Sequence, residues 1–331
     1  MNPDILENQS ESGRFAVKPL PYIMILVFFV VGAYAYKLRT EGIFACSADG
    51  YPERGYLAYC NATEYGDYDH GAFWYGLEPE NIHFATNADV LFVGSSRMQF
   101  AFSTEATGNW FAARAIDYYL LGFSHTGNSR FLTPLLEKIN PQAKVYVINL
   151  DRFFDDRESP PVAEILHGSD VRRHYSQKRL WQMLHHPVCA TVPSVCGQAV
   201  AFYRYADNGS WTLKGSSAKF KAADIGDATP SNEQHWEHYA NLAANFVSGL
   251  PVDRQCIMLT LAPSATTKTV EAAAIADALG LDLISPTLDG LRTYDGSHLD
   301  RPSAQRWSRA FFDIAGPRIR RCLEKSPADR E

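Results

Sequence analysis

Along the chain the pattern of apolar and polar positions changes several times. Residues 1–16 are polar and carry Asp4, Glu7 and Glu11, the composition of a disordered tail. From Leu20 to Tyr36 no charge interrupts a run of Ile, Leu, Val and Phe, with Arg14 and Lys18 before it and Lys37 and Arg39 after it. That length reaches the lower end of what spans a bilayer. One reading is an uncleaved signal anchor over residues 17–37, with Tyr34 and Tyr36 in the interfacial belt. The other is a signal peptide cleaved at the small-x-small triplet Ala33-Tyr34-Ala35, which Lys37 and Arg39 disfavour. Both deliver the rest of the chain outside the cytoplasm, on the periplasmic or extracellular side, anchored to the membrane or secreted.

Residues 38–85, a lead segment rich in Gly, Tyr and Asp, show no sustained helical or strand period. The pattern then becomes α/β. Val90–Val93 is a short apolar run, the mark of a buried parallel strand. A helix or turn covers about 103–114, and Ala115–Leu121 is a second strand ending at Gly122. Residues 128–139 place Phe131, Leu132, Leu135, Leu136 and Ile139 at helical spacing, and Asn140-Pro141 stops them. Lys144–Leu150 is a third strand, Gln255–Leu261 a fourth and Leu281–Ser285 a short fifth. Helices are expected at about 233–248, 269–279 and 303–323, the last with Trp307, Ala310, Phe311, Ile314 and Ile319 on one side. Alternating strands and helices predict one parallel sheet with right-handed crossovers over residues 86–324. Residues 152–231 break the rhythm. They read as an insertion at the rim of a site, with a helix near 176–185, and residues 325–331 as a tail.

The chain has 331 residues, 46% apolar and 21% charged, which suits a globular core. A formal net charge of −6 without a basic run argues against a nucleic-acid partner. Aromatics make up 13%, enough to line a core and also suited to flat sugar faces. There are six cysteines. Cys46 with Cys60, and Cys189 with Cys196, are short-spaced pairs in loop-like sequence, which suggests two local disulfides and an oxidising compartment. Cys256 in a core strand and Cys322 near a helix end read as free thiols. Neither close pair has Cys-x-x-Cys spacing, and His167, His174, His185, His186, His235 and His238 show no metal-ligand arrangement, His185-His186 beside Cys189 reading as loop surface; no metal or cofactor is expected. Asn61-Ala62-Thr63 and Asn208-Gly209-Ser210 are sequons that matter only in a eukaryotic secretory pathway.

Two stretches carry candidate chemistry. The first strand runs straight into Gly94-Ser95-Ser96-Arg97. A serine at a strand-to-helix turn stands on the carboxyl edge of the sheet, where open α/β sheets place their sites. Between the last strand and the last helix sits Asp295-Gly296-Ser297-His298. A serine hydroxyl needs a base to take its proton, and that base needs an orienting acceptor. Ser96, His298 and Asp295 are the residue types for those roles. Singly, each has a plain structural reading: Ser96 a helix cap, Asp295 a turn residue, His298 a surface histidine. Arg97 reads as a solvent-facing first-turn residue or as a binder of an anionic or sugar group.

Gly94-Ser95-Ser96 after the first strand and Asp295-x-x-His298 before the last helix resemble the first and last blocks of the SGNH (GDSL-type) hydrolase and acyltransferase superfamily, in particular its membrane-anchored, envelope-modifying members. The resemblance covers about residues 86–324. It implies a single flavodoxin-like three-layer α/β domain with a central parallel sheet. It implies Ser96 as nucleophile, His298 as base and Asp295 as orienter. It implies an oxyanion hole from the backbone at Ser96 and Gly122 with the Asn149 side chain, although the third strand ends Asn149-Leu150-Asp151 without the family's Gly-x-Asn-Asp. The function that follows is an extracytoplasmic serine esterase or O-acyltransferase working on acyl, chiefly acetyl, esters of an envelope polysaccharide or glycan. Its expected partners are an acylated glycan or acyl donor, and a membrane-bound acyl-transfer protein. The rival is a catalytically inactive glycan-binding or assembly protein on the same fold.

Overall fold

The computed structural model describes residues 20–124, 127–215, 220–225 and 236–324. The expected tails, Arg14, Lys18 and His235 lie outside the described residues. The chain begins with helix α1 (Leu20–Thr40), apolar through most of its length and exposed along it. Strands β1 (Gly55–Cys60) and β2 (Gly66–Asp67) and helices α2 (Asp69–Trp74) and α3 (Pro79–Asn87) follow. Then come β3 (Val90–Ser95), α4 (Ser96–Ala101), α5 (Thr104–Ala112), β4 (Tyr118–Phe123), α6 (Ser129–Ile139) and β5 (Val145–Asn149). The middle of the chain holds α7 (Pro160–His167), α8 (Val171–Thr191), β6 (Ala201–Tyr205), β7 (Trp211–Lys214) and β8 (Ala223–Asp224). The last part holds α9 (Trp236–Ser248), β9 (Ile257–Thr260), α10 (Thr269–Leu279), β10 (Arg292–Thr293) and α11 (Arg301–Glu324).

The parallel sheet has the order β4-β3-β5-β9. Its residues alternate between two cores, as a two-residue side-chain period requires. Leu91, Val93, Tyr119, Leu121, Tyr146 and Ile148 join one core with Phe131, Phe246 and Ile275 from α6, α9 and α10. Val90, Phe92, Leu120, Val145, Val147 and Met258 join the other, with Phe111 of α5 and Trp307 and Phe311 of α11. Helices therefore cover both faces, which is why these strands read as unbroken apolar runs. The expected fifth strand is reduced to a single bridge, Leu283 to Leu259, flanked by backbone bonds from Leu259 N–H to the Asp282 carbonyl (3.1 Å) and from Ile284 N–H to the Leu259 carbonyl (2.8 Å). On α11 the buried stripe is Trp307, Phe311, Ala315, Ile319 and Cys322, stepping about one turn at a time. Ile314 falls off that stripe and faces solvent, contrary to expectation.

The lead segment carries more structure than its composition suggested. β1 pairs antiparallel with β6 of the insertion, giving a second sheet in the order β2-β1-β6-β7. A register shift between Leu57 and Tyr59 explains why no clean alternation is visible in its sequence. Arg204 of β6 is fully buried and makes a two-pronged ion pair with Asp69 of α2, Nε to Oδ1 at 2.9 Å and a second nitrogen to Oδ2 at 2.6 Å. The same guanidinium donates to the carbonyls of Leu120 and Gly122, and Leu120 N–H donates to the Asn208 carbonyl. β4 is an outer strand of the parallel sheet. Its open backbone groups are thus met by the insertion rather than left as an exposed edge.

All six cysteines are paired: Cys46–Cys60, Cys189–Cys196 and Cys256–Cys322. The third pair overturns the expectation of two free thiols. Cys256 and Cys322 are distant in sequence, and only the packing of α11 against the start of β9 brings them together.

Candidate active site

β3 ends at Ser95, and α4 begins at Ser96. The two serines divide two tasks. The buried Ser95 is the N-cap, its hydroxyl accepting from Arg97 N–H at 3.3 Å. That leaves the Ser96 hydroxyl free for another partner. It meets His298 Nε2 at 2.9 Å. His298 Nδ1 is 2.8 Å from Asp295 Oδ2. The sequence order Ser, Asp, His thus becomes a spatial order Ser96, His298, Asp295.

The loop that carries the last two residues is tightly built. Thr293 bridges Leu299, Tyr294 N–H donates to the His298 carbonyl at 3.0 Å, and Asp300 N–H donates to the Arg292 carbonyl at 2.9 Å. Gly296 sits at φ +83°, a conformation that suits glycine. Asp295 Oδ1 accepts from the N–H groups of Ser297 (2.9 Å) and His298 (2.8 Å). Burial alone would raise the Asp295 carboxyl, but the His298 hydrogen bond and charge and these two N–H groups hold it below the ordinary carboxylate value. It therefore stays ionised at neutral pH, as an acceptor for His298 Nδ1–H must. The His298 ring is held on both sides: Tyr294 stacks at 5.6 Å and 16° between planes, and Phe100 meets it edge-on at 5.0 Å.

Arg97 is not a free surface residue. Its Nε donates to Ser297 Oγ at 2.9 Å, one terminal nitrogen to Asp151 Oδ1 at 2.6 Å, and the other to Thr266 Oγ1 at 2.8 Å. One guanidinium therefore ties together the turns after β3, β5 and β9 and the His298 loop. Burial raises the Asp151 carboxyl, and the Arg97 charge opposes that rise. Arg97's hydrogen-bond partners come from three separate, distant stretches of chain, so no local pattern announces its role. The same holds for Tyr294, which reads in the sequence as one more aromatic.

Asn149 is the last residue of β5 and fully buried. Its Oδ1 accepts from Ala262 N–H at 2.8 Å, which fixes the amide orientation, while its Nδ2 meets no acceptor among the described residues. A buried donor left unpaired costs about 1–3 kcal/mol, so it asks for a reason. Its Cβ packs against Gly94, where an added Cβ would lie 3.0 Å from it. Gly122 lies beneath the Ser95–Ser96 turn, one residue before the end of β4 rather than after the strand. A Cβ there would come within 2.9 Å of Gln99 Cγ, Met98 Cε and Ser95 O. Glycine is what lets the first turn of α4 sit on β4. The contacts that engage Gly122 are to its carbonyl, from Gln99 (3.1 Å) and Arg204.

Two clefts flank the triad. One, of about 580 Å³, is walled by Phe100, Trp211, Thr212, Tyr294 and Arg301. The other, of about 480 Å³, lies under Arg97 and Asp151 and is lined by Phe154, Leu261, Thr266 and Lys268. His185 does not sit on a loop surface as expected. It is buried on α8, with Nδ1 3.1 Å from Tyr51 OH and Nε2 3.2 Å from the Cys46 carbonyl. It comes close to Cys189 and Cys196, but their sulfurs are bonded to each other and both ring nitrogens have protein partners.

Comparison with family models, with curated proteins and with solved structures finds no match. The class the fold defines is a mixed α/β protein with a parallel sheet and one N-terminal apolar helix. What it does has to be argued from the site itself.

Proposed function

We propose that the chain is an extracytoplasmic serine esterase or O-acyltransferase of SGNH type, held at the membrane by α1 and acting on acyl esters, chiefly acetyl, of an envelope polysaccharide or glycan. The observation that carries this is the Ser96–His298–Asp295 relay, with its 2.9 and 2.8 Å contacts. Support also comes from the strand order. Numbering the parallel strands by sequence gives 2-1-3-4, with Leu283 bridged beside the fourth, which is the flavodoxin-like order. The nucleophile turn follows the first of these strands, at the point where the order reverses.

In this reading Ser96 Oγ attacks the acyl carbonyl carbon while His298 Nε2 takes its proton. Asp295 holds Nδ1–H and stabilises the imidazolium that forms. The tetrahedral oxyanion is met by Ser96 N–H, which has no intrahelical acceptor at the start of α4, and by Asn149 Nδ2, the unpaired buried donor. The Gly122 N–H is the third donor expected from the sequence. The intermediate collapses as His298 returns the proton to the departing alcohol oxygen, leaving an acyl ester on Ser96. Water or a sugar hydroxyl then attacks that ester, gives its proton to His298, and releases the acid or the newly acylated sugar while Ser96 regains its proton. The aromatic cleft beside His298 suits the apolar face of a sugar ring.

Turnover of p-nitrophenyl acetate by the full chain, alone and with an acetylated envelope glycan, tests the proposal. Ser96→Ala is expected to abolish hydrolysis and transfer. Undiminished turnover in that variant would return the chain to a non-catalytic, glycan-binding role.

A further inference from the structure

Outside α1, the large apolar side chains exposed among the described residues are Leu180, Met183, Leu184, Val192, Val195, Val270 and Ile314. The first five fall on one stretch, α8 and the turn that follows it. The buried face of α8 is Val171, Tyr175, Lys178, Gln182, His185 and Cys189, at alternating steps of three and four. Leu180, Met183 and Leu184 project from another face at the same helical spacing, so α8 is apolar on two sides, and its fold neighbours cover one. The Cys189–Cys196 disulfide closes the turn that displays Val192 and Val195.

That uncovered face adjoins the end of α1. Arg39 in the last turn of α1 donates to the Ser194 carbonyl, between Val192 and Val195. Lys37 pairs with Glu64 at 2.7 Å, and Leu38 packs on the domain core. Tyr34 and Leu38 of α1 share a cleft of about 220 Å³ with His174, Gln177 and Trp181 of α8. The helix that leaves the domain and the helix with the bare apolar stripe are thus joined by contacts near the same corner. Arg172 and Arg173 are exposed along α8, and Arg179, also exposed, faces Glu78 at 3.6 Å.

We propose that the Leu180–Met183–Leu184 face of α8, with Val192 and Val195, rests in the headgroup layer of the bilayer that α1 crosses. This rests on reading α1 as an anchor. An apolar stripe flanked by arginines is the pattern of a helix lying in the interface, and its cations suit anionic headgroups. The lipid surface is favoured as occupant over a separate protein because α1 delivers it. The stripe is tethered within a few residues of the membrane, so contact costs little further loss of freedom. The ectodomain would then be held in one orientation on the membrane by two contacts, α1 and α8, instead of swinging from a single stalk.

Because every cysteine is already paired, an added one gives a unique attachment point for a spin label. The full chain is placed in nanodiscs of phosphatidylethanolamine and phosphatidylglycerol. Labels are introduced by Met183→Cys, Leu184→Cys, Ile314→Cys and Val27→Cys, and collisions with oxygen and with a water-soluble nickel chelate are compared. The expected result is a shift towards oxygen at positions 183 and 184, between the aqueous value at 314 and the deep value at 27. An aqueous value at 183 and 184 with a deep value at 27 overturns the proposal and leaves the anchor intact. An aqueous value at 27 removes the anchor and the proposal together. Protection from both reagents at 183 and 184 would identify a protein, a second copy included, as the occupant and also overturn it.

Discussion

Arg97→Ala is the change that most directly probes how the triad is held. It removes bonds of 2.9, 2.6 and 2.8 Å to Ser297, Asp151 and Thr266. The side chains of Arg97 and Asp151 are only 16% and 11% exposed, so the pair is poorly screened by water. A hydrogen bond to a charged group contributes about 1.5–3 kcal/mol. Ser297 is the neighbour of His298, and its link to Arg97 joins the His298 loop to the turn that carries Ser96. If one such bond, about 2 kcal/mol, is what Arg97 transmits to the Ser96–His298 alignment, kcat/KM falls roughly 30-fold. Arg97 is a positioning residue in this argument, so rate alone is not sufficient. Two further readouts follow. Removing the guanidinium takes a positive charge from the site while the Asp151 carboxylate remains, which makes gaining a proton there easier, so the acid limb of the pH–rate profile should move to higher pH. Added guanidinium should restore part of the rate. A double-mutant cycle with Asp151→Asn is expected to give a coupling of about 1–3 kcal/mol. The reasoning is refuted if Arg97→Ala stays within about twofold of wild type, with the same acid limb, in a preparation where Ser96→Ala is inactive.

Asp295→Asn keeps the shape of the loop but loses the acceptor that fixes the His298 tautomer, and kcat should drop about a thousandfold or more with little change in KM, as steady-state kinetics would show. Arg204→Met leaves Asp69 buried and uncompensated, a loss of about 3–5 kcal/mol that should lower Tm by roughly 10 °C; the paired change Arg204→Met with Asp69→Leu should recover much of it, and no recovery would count against the ion-pair account. Burial holds His185 at about 4, against 6.5 when exposed, despite the Cys46 carbonyl. The unfolded chain binds the extra proton between those values, so stability is full above pH about 6.5 and falls by up to about 3 kcal/mol on descent to pH about 4. His185→Gln should flatten that part of the Tm–pH curve, and an unchanged slope would assign the effect elsewhere.

The parts of the fold visible in the sequence are those whose own residue pattern records their burial, however distant the partner. β3, β4, β5 and β9 are buried on both faces and appear as apolar runs, and α10 ends at Gly280, which takes up the left-handed conformation at φ 57°. The lead segment was opaque because β1 finds its partner only in the insertion, and a register shift breaks its alternation. Cys256 and Cys322 looked solitary for the same reason. At the site, Ser96, Asp295 and His298 were legible as residue types at the two ends of one domain. The sequence pairs Ser96, rather than Ser95, with His298; what it does not show is that Ser95 supplies the helix cap, because adjacent serines look alike until the hydroxyls are placed.

The insertion and lead segment are more than additions at the rim of the site. Arg204 is anchored by Asp69 in the lead segment and lies in the insertion, and it reaches the Leu120 and Gly122 carbonyls of β4. Gln99, on the helix that begins with Ser96, donates to the same two carbonyls, at 2.9 and 3.1 Å. The strand beneath the Ser96 turn is thus held both by α4 and by the second sheet. Loosening the second sheet should therefore loosen the floor under Ser96. A graded series at the β1–β6 pairing would show this as loss of kcat before loss of fold. If activity and unfolding instead track each other at every step, the second sheet contributes only global stability.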